Sequence, residues 1–89
     1  MKSVTVSIIN KLGLHARASS KLVMLANQFN ANITISKDRK SANAKSLMTV
    51  MMLAANNGST VIITADGTDE ELAVTQLTEL INNKFGEAE

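Results

Sequence analysis

The residues best suited to chemistry lie together in Gly13-Leu14-His15-Ala16-Arg17, which contains the only histidine of the chain. A strand-like segment precedes them and a helical period follows, so the spacing predicts that His15 opens a helix. The first backbone N–H groups of a helix, here those of Ala16 and Arg17, have no partner within it and attract an anion such as phosphate. His15 supplies a nitrogen nucleophile there, and Arg17 supplies a permanent cation with a planar set of donors. The combination indicates reversible phosphorylation of His15.

Other interpretations of this histidine are weaker. Taken alone, His15 would be a surface or capping residue and Arg17 a solvated charge, but their i,i+2 spacing at a helix start favours contact with a phosphate. One histidine and no cysteine leave too few ligands for a metal site. No nucleophile elbow accompanies the histidine, so nothing supports a Ser-His-Asp triad. We therefore expect neither a metal nor a cofactor.

The composition is that of one small globular domain spanning residues 1–89. Hydrophobic residues make up 45% of the chain and charged residues 19%, and there is no cysteine. The absence of cysteine excludes disulfides and suits a reducing cytoplasm. The N-terminus lacks the apolar block of a signal peptide, and the longest apolar stretch, residues 47–55, is far below the ~18 residues of a membrane span. We expect a cytoplasmic monomer that does not insert into membranes.

The charge pattern predicts a protein or phosphate partner rather than a nucleic acid. The net charge is only +1, and the two aromatic residues, Phe29 and Phe85, offer no platform for stacking bases. Most acidic residues lie from Asp66 onward. The first half is basic instead, through Lys11, Arg17, Lys21, Lys37, Arg39, Lys40 and Lys45. If these residues form one surface, its natural partner is an acidic protein or a phosphate.

The periodicity predicts the element order β-α-β-β-α-β-α. Apolar and hydroxylated residues predict strands at residues 3–8, 33–36 and 60–65, and the small residues Ala42 and Ala44 mark a short strand at residues 42–44. A helical period runs from Ala16 to Phe29, and another, containing Leu77, precedes Gly86. We predict an α+β fold, a mostly antiparallel sheet with helices on one face.

Two further helix starts carry cap signals. Ser46 is a favoured N-cap for a short helix that reaches Leu53, and Thr68 with Glu71 predicts a capping box for the last helix. The short helix has apolar residues almost all round, and a core on one side cannot bury them all. Some of its side chains should therefore form a docking patch.

Taken together, these segments resemble the HPr family, the histidine phosphocarriers of the phosphoenolpyruvate-dependent phosphotransferase system. The resemblance runs from Val4 to Gly86 and rests on four features: residues 13–17, Ala42 through Ala44-Lys45-Ser46-Leu47-Met48, Asn57-Gly58, and Ala65-Asp66-Gly67 before the last helix. It implies an open-faced β-sandwich, a four-stranded antiparallel sheet covered on one face by three helices.

The family resemblance also implies roles for individual residues. His15 would accept phosphate on Nδ1 from Enzyme I and pass it to IIA proteins of a sugar or nitrogen-related branch. Ser46 would be a regulatory phosphorylation site, in some lineages the target of HPr kinase/phosphorylase. The docking face for the partners would be formed by Ala16, Arg17, Ser20, Leu47, Met48 and Met51. The alternative is a regulatory docking protein of the same fold controlled through Ser46, and a small-molecule-binding domain would leave the His15–Arg17 pair unexplained.

The sequence departs from the family pattern at one position near the histidine. Ala18 stands where family members commonly carry proline, a residue tolerated in the first turn of a helix. Alanine keeps its backbone N–H and is the best helix former, so we expect the site to survive this change. The segment after Phe85 does not allow a family contact between the chain end and Arg17 to be carried over.

Overall fold

Four strands and three helices follow one another in the predicted order in the computed structural model, which describes residues 1–88. No helix within this range is long and apolar enough to cross a membrane. The elements are β1 (Lys2–Ser7), α1 (Ala16–Ala26), β2 (Asn32–Lys37), β3 (Lys40–Asn43), α2 (Leu47–Met52), β4 (Thr60–Asp66) and α3 (Glu70–Asn82), followed by a 3₁₀ turn, Lys84–Gly86.

The strands form one antiparallel sheet in the order β1-β4-β2-β3. Ile63 of β4 lies between Val4 of β1 and Ile35 of β2. Because side chains alternate along a strand, Val61 and Ile63 are buried while Ile62 faces outward, 45% exposed. The predicted α+β class and the open-faced antiparallel sheet are confirmed.

One continuous core lies between the sheet and the helices. Each element contributes the apolar residues that its period predicts, such as Leu22 from α1 and Leu77 from α3. The largest side chains that are almost completely buried are Phe85, Ile8, Leu22, Ile35, Ile63, Leu77, Ile81 and Val50. This core fixes the relative positions of the loops that carry the candidate site.

The start of α3 differs from the predicted capping box. The N-cap is Asp69 rather than Thr68, and neither residue caps the helix with its side chain. The Asp69 carboxylate instead accepts hydrogen bonds from the backbone N–H groups of Asn30 and Ala31, each at 2.8 Å. A contact between distant parts of the chain thus takes the place of a local cap.

Both long helices end earlier than predicted. Helix α1 ends at Ala26, and Phe29 lies beyond it in the turn that leads to β2. Helix α3 ends at Asn82, and the following Lys84 and Phe85 both have φ of 56°. This left-handed conformation costs about 1–2 kcal/mol per residue. It brings the Phe85 ring fully into the core, and burial of a phenylalanine contributes roughly 1.5–3 kcal/mol.

Candidate functional site

His15 is the N-cap residue of α1, as the sequence predicts. Its backbone is extended, with φ −73° and ψ 178°, and its carbonyl oxygen accepts the N–H of Ser19 at 2.8 Å. No side chain caps this helix, and its first turn contains no acidic residue. The N–H groups of Ala16 and Arg17 therefore remain available to an external anion.

Two loops hold the histidine in place. The N–H of Leu14 donates to the carbonyl of Ala55 at 2.8 Å, and the Ser19 hydroxyl donates to the carbonyl of Leu14 at 3.0 Å. Gly13 adopts φ +67°, and a β-carbon there would lie 2.6 Å from the Ala55 oxygen. Only glycine fits at this position, because both the conformation and the close approach exclude a side chain.

The His15 ring is hydrogen-bonded to a carboxylate that the sequence did not reveal. Its Nε2 lies 2.5 Å from Oε2 of Glu87, and the two side chains are 28% and 16% exposed. The other carboxylate oxygen of Glu87 accepts the side-chain N–H of Asn10 at 2.9 Å. The Asn10 bond, and then the bond to His15, lower the pKa of Glu87 below its ordinary value. Glu87 is therefore an anion at neutral pH.

Asn10 links this carboxylate to the loops beneath it. The residue is fully buried, and its side-chain nitrogen also donates to the carbonyl of Gly13 at 2.8 Å. Its own backbone carbonyl accepts the side-chain N–H of Asn57 at 3.1 Å. Asparagine in a loop indicates only a turn, so sequence alone offered no signal for a contact that joins residues 10 and 87.

The structure brings His15, Ala16 and Arg17, the predicted phosphate-binding groups, together along one open groove. The other residues that line the groove are Lys11, Leu12, Glu87 and Ala88. Arg17 is exposed, and no hydrogen bond or ion pair within residues 1–88 occupies its guanidinium. A groove with a nucleophilic nitrogen, free N–H donors and an available cation can hold a phosphoryl group without enclosing it.

Ala18 lies in the first turn of α1 and is completely buried. Its methyl group belongs to the core and does not line the groove. Nor does the described part of the chain contain a group of three histidine, cysteine, aspartate or glutamate residues that could hold a metal ion.

Helix α2 presents the apolar surface that its composition predicts. Val50 is buried, whereas Leu47 and Met51 are 39% and 40% exposed and Met48 is 71% exposed. Ser46 is the N-cap residue, as predicted, but its hydroxyl makes no capping hydrogen bond. Helix α2 contacts α1, the helix that His15 opens and that carries the exposed Ala16 and the half-buried Ser20.

Comparison with known proteins gives a consistent result. Residues 2–83 match the family model described as the PTS HPr component phosphorylation site. A phosphocarrier protein HPr of Cupriavidus necator is 54% identical over 83 residues, which are 93% of each chain. A phosphocarrier protein NPr of Shewanella violacea is 43% identical over 93% of this chain and 91% of its own. The crystal structure of an HPr from Thermoanaerobacter tengcongensis superposes with a TM-score of 0.97 at 46% identity, covering 100% of both chains.

Proposed function

Because this chain belongs to the HPr family of phosphocarriers of the phosphotransferase system, we propose that it accepts a phosphoryl group from Enzyme I on His15 and passes it to IIA proteins. One observation carries the proposal. His15 stands at the start of α1, in the groove that also holds the guanidinium of Arg17, and no residue within 1–88 pairs with that guanidinium. The protein thereby acts as a carrier in a relay between enzymes rather than as an enzyme by itself.

The chemistry of the carrier follows from the groups around the ring. Nδ1 of a neutral imidazole attacks phosphorus, and the N–H groups of Ala16 and Arg17 bind the phosphoryl oxygens as negative charge develops on them. The Arg17 guanidinium adds a permanent positive charge. Because the groove is open to solvent, an acceptor protein can reach the phosphoryl group and remove it.

The direct test is phosphorylation by Enzyme I with phosphoenolpyruvate as donor. We expect one phosphate per chain, acid-labile and base-stable, and none on His15→Ala. The variant loses the hydrogen bond between the ring and Glu87 but no capping bond and no core packing, so its melting temperature should fall by only a few degrees. Persistent labelling of folded His15→Ala would refute the assignment. Measuring which IIA proteins then remove the phosphate would distinguish a sugar branch from a nitrogen-related branch.

The partners are proposed to dock on a face made by the start of α1 and the exposed side of α2. It comprises Ala16, Arg17, Ser20, Leu47, Met48 and Met51. Flexible methionines suit a surface that must fit several partners in turn. The basic residues of the first half favour acidic partners.

Substitution of the most exposed residue of this face tests the docking proposal. Met48→Glu should weaken binding of Enzyme I and of IIA proteins about tenfold, because it places a charge in an apolar contact. The fold should be unaffected, since Met48 is 71% exposed. Leu72→Glu, at a 53% exposed position on α3, is the matched control. Equal titration curves for the two variants would contradict the proposal.

Ser46 is proposed as a regulatory phosphorylation site for a kinase such as HPr kinase/phosphorylase. Its position at the uncapped start of α2 supports this role, because a phosphate at a helix N-terminus is tolerated by the helix. The phosphate would instead act on docking, since an acidic partner would meet a new anion on the face that it binds.

A further inference from the structure

The tail that follows α3 is strained, yet it is held at several points. Lys84, Phe85 and Gly86 adopt φ of 56°, 56° and 78° in succession. Two consecutive non-glycine residues in this conformation persist only where the surrounding structure determines them, and such strain concentrates at functional sites. The Phe85 ring is fully buried, and its carbonyl accepts the Lys21 ammonium group at 2.6 Å. The strained turn ends at the residue that reaches the histidine, Glu87.

The contacts of Glu87 match a carboxylate and no other side chain. One oxygen accepts the amide N–H of the buried Asn10 at 2.9 Å, and the other faces the Nε2 of His15 at 2.5 Å. Asn10 must present its nitrogen here, because the same nitrogen donates to the carbonyl of Gly13. Asn10 therefore donates to Glu87, and an anionic carboxylate, which has only acceptor oxygens, can pair with Nε2 of His15 only if that nitrogen carries the ring proton.

We propose that Glu87 is the positioning residue of His15, fixing the ring proton on Nε2 so that the lone pair of Nδ1 faces the incoming phosphoryl group. The proposal rests on the proposed function and deepens it. A neutral imidazole has one N–H and one lone pair, and the hydrogen bond at one nitrogen decides which is which. The family model ends at residue 83, so Glu87 lies outside the matched segment.

The same contact serves the transfer step. The Nδ1 lone pair forms a bond to phosphorus, and the bond between phosphorus and the donor breaks, leaving its electron pair on the donor. The proton stays on Nε2, so the ring gains one positive charge, which the adjacent anionic Glu87 offsets. When the acceptor attacks phosphorus, the P–Nδ1 bond breaks, its electron pair returns to the ring, and the neutral Nε2–H form is restored. Neither step requires a proton to leave the site.

Nitrogen NMR of the His15 ring tests the proposal without any partner protein. In the wild type at a pH where the ring is neutral, we expect the signals of an Nε2–H tautomer. In Glu87→Ala the share of the Nδ1–H form should rise to that of a histidine without a partner, whereas Glu79→Ala, which removes an exposed acidic residue of α3, should match the wild type. Glu87→Gln keeps the length of the side chain, but its single acceptor oxygen can serve only one of Asn10 and His15, so its ring signals should lie between those of the wild type and Glu87→Ala.

Transfer kinetics supply the second measurement. Loss of the orienting partner should slow phosphoryl acceptance roughly 10- to 100-fold, in kcat rather than in KM for Enzyme I. Ring signals unchanged in both Glu87 variants, or transfer within twofold of Glu79→Ala, would overturn the proposal. Failure of the wild type to be phosphorylated would refute the proposed function instead, and the tautomer measurement would still decide the role of Glu87.

Discussion

The starts of α1 and α3 are both helix N-termini with a positive dipole end, but their first turns carry opposite charge. At α3 the first turn contains Glu70 and Glu71, and Glu70 accepts the N–H of Gly67 at 3.1 Å and pairs with the N-terminal ammonium group at 2.9 Å. At α1 the first turn contains no acidic residue and no capping side chain, and it carries Arg17 instead. The positive end of α3 is thus neutralised by its own chain, whereas that of α1 is left for a ligand.

On the proposed function, the difference explains how a chain with a net charge of only +1 would hold an anionic phosphoryl group at one helix start. The helix dipole and the free N–H groups act within the first turn only. The residues of that turn therefore decide whether a carboxylate of the same chain or an external anion offsets the positive helix end. Glu70 and Glu71 place negative charge in the first turn of α3, whereas the first turn of α1 has none, and the carboxylate nearest to it, Glu87, lies beside the His15 ring.

Giving α1 the charge pattern of α3 should have the largest effect. Ala16→Glu adds a carboxylate to the first turn of α1, at an exposed position that lines the groove. We expect phosphoryl acceptance to fall at least ~100-fold, since the carboxylate takes the place intended for the anion. The helix should be slightly stabilised, by ~0.3–1 kcal/mol. Ala16→Gln, which is similar in size but neutral, separates charge from bulk: equal rates in both variants would show that the charge is irrelevant.

Removing the cation from α1 should have a somewhat smaller effect. Arg17→Ala should slow transfer about 10²-fold at unchanged melting temperature, because it removes charge stabilisation of the phosphoryl group and no packing. The control is Arg39→Ala, an exposed cation in the turn between β2 and β3. Arg17→Ala transferring phosphate at the rate of Arg39→Ala would mean that Arg17 is only a surface charge.

The start of α2 extends the comparison to a third helix, which is also uncapped. Ser46→Asp should fold as well as the wild type, since aspartate is a good N-cap, but should accept phosphate from Enzyme I several-fold more slowly. The deficit should shrink as salt screens the charge. Ser46→Asn offers a neutral N-cap of the same shape. Indistinguishable rates for Ser46→Asp and Ser46→Asn at every ionic strength would remove the regulatory role of this position.

The smallest effect concerns the acidic start of α3. The N–H groups of Asn30 and then Ala31 hold the pKa of Asp69 below its ordinary value. A depressed pKa in the folded state means that Asp69 contributes stability above its unfolded pKa of roughly 3.9, and that this contribution is lost as pH falls through the lower folded value. Melting temperatures between pH 7 and pH 2 should therefore fall less steeply for Asp69→Asn than for the wild type. An equal fall in melting temperature for Asp69→Asn and the wild type would show that the two backbone contacts do not depend on ionisation of Asp69.

Sequence patterns were sufficient for the individual strands and helices, their order and the histidine at a helix start, because each depends on residues close together in the chain. The sheet joins distant residues, such as Lys2 and Ala65, and its four-stranded form was predicted from the family resemblance. The same patterns misplaced the cap of α3. Thr68 and Glu71 have the right spacing for a capping box, but Asp69 is drawn to the N–H groups of Asn30 and Ala31, nearly forty positions earlier.

The candidate site divides in the same way. Gly13, His15 and Arg17 could be identified from local spacing, whereas the Asn10–Glu87–His15 connection depends on how the tail after α3 is folded back. Gly86 predicts a turn, but it does not predict that the Glu87 side chain after the turn reaches His15. The left-handed conformation of Lys84 and Phe85 could not be predicted from the sequence either, because it is the burial of the Phe85 ring in the core that accounts for it.

The bond between the Leu14 N–H and the Ala55 carbonyl has a consequence for the folding of the chain. The two residues are far apart in sequence, and the segment between them contains α1, two strands and α2. Closing so long a loop is entropically costly and occurs only when the sheet forms around it. We therefore expect the groove beside His15 to form late in folding. On the proposed function, an incompletely folded chain would carry the histidine without the surroundings that make it an acceptor, and only fully folded molecules would take up phosphate.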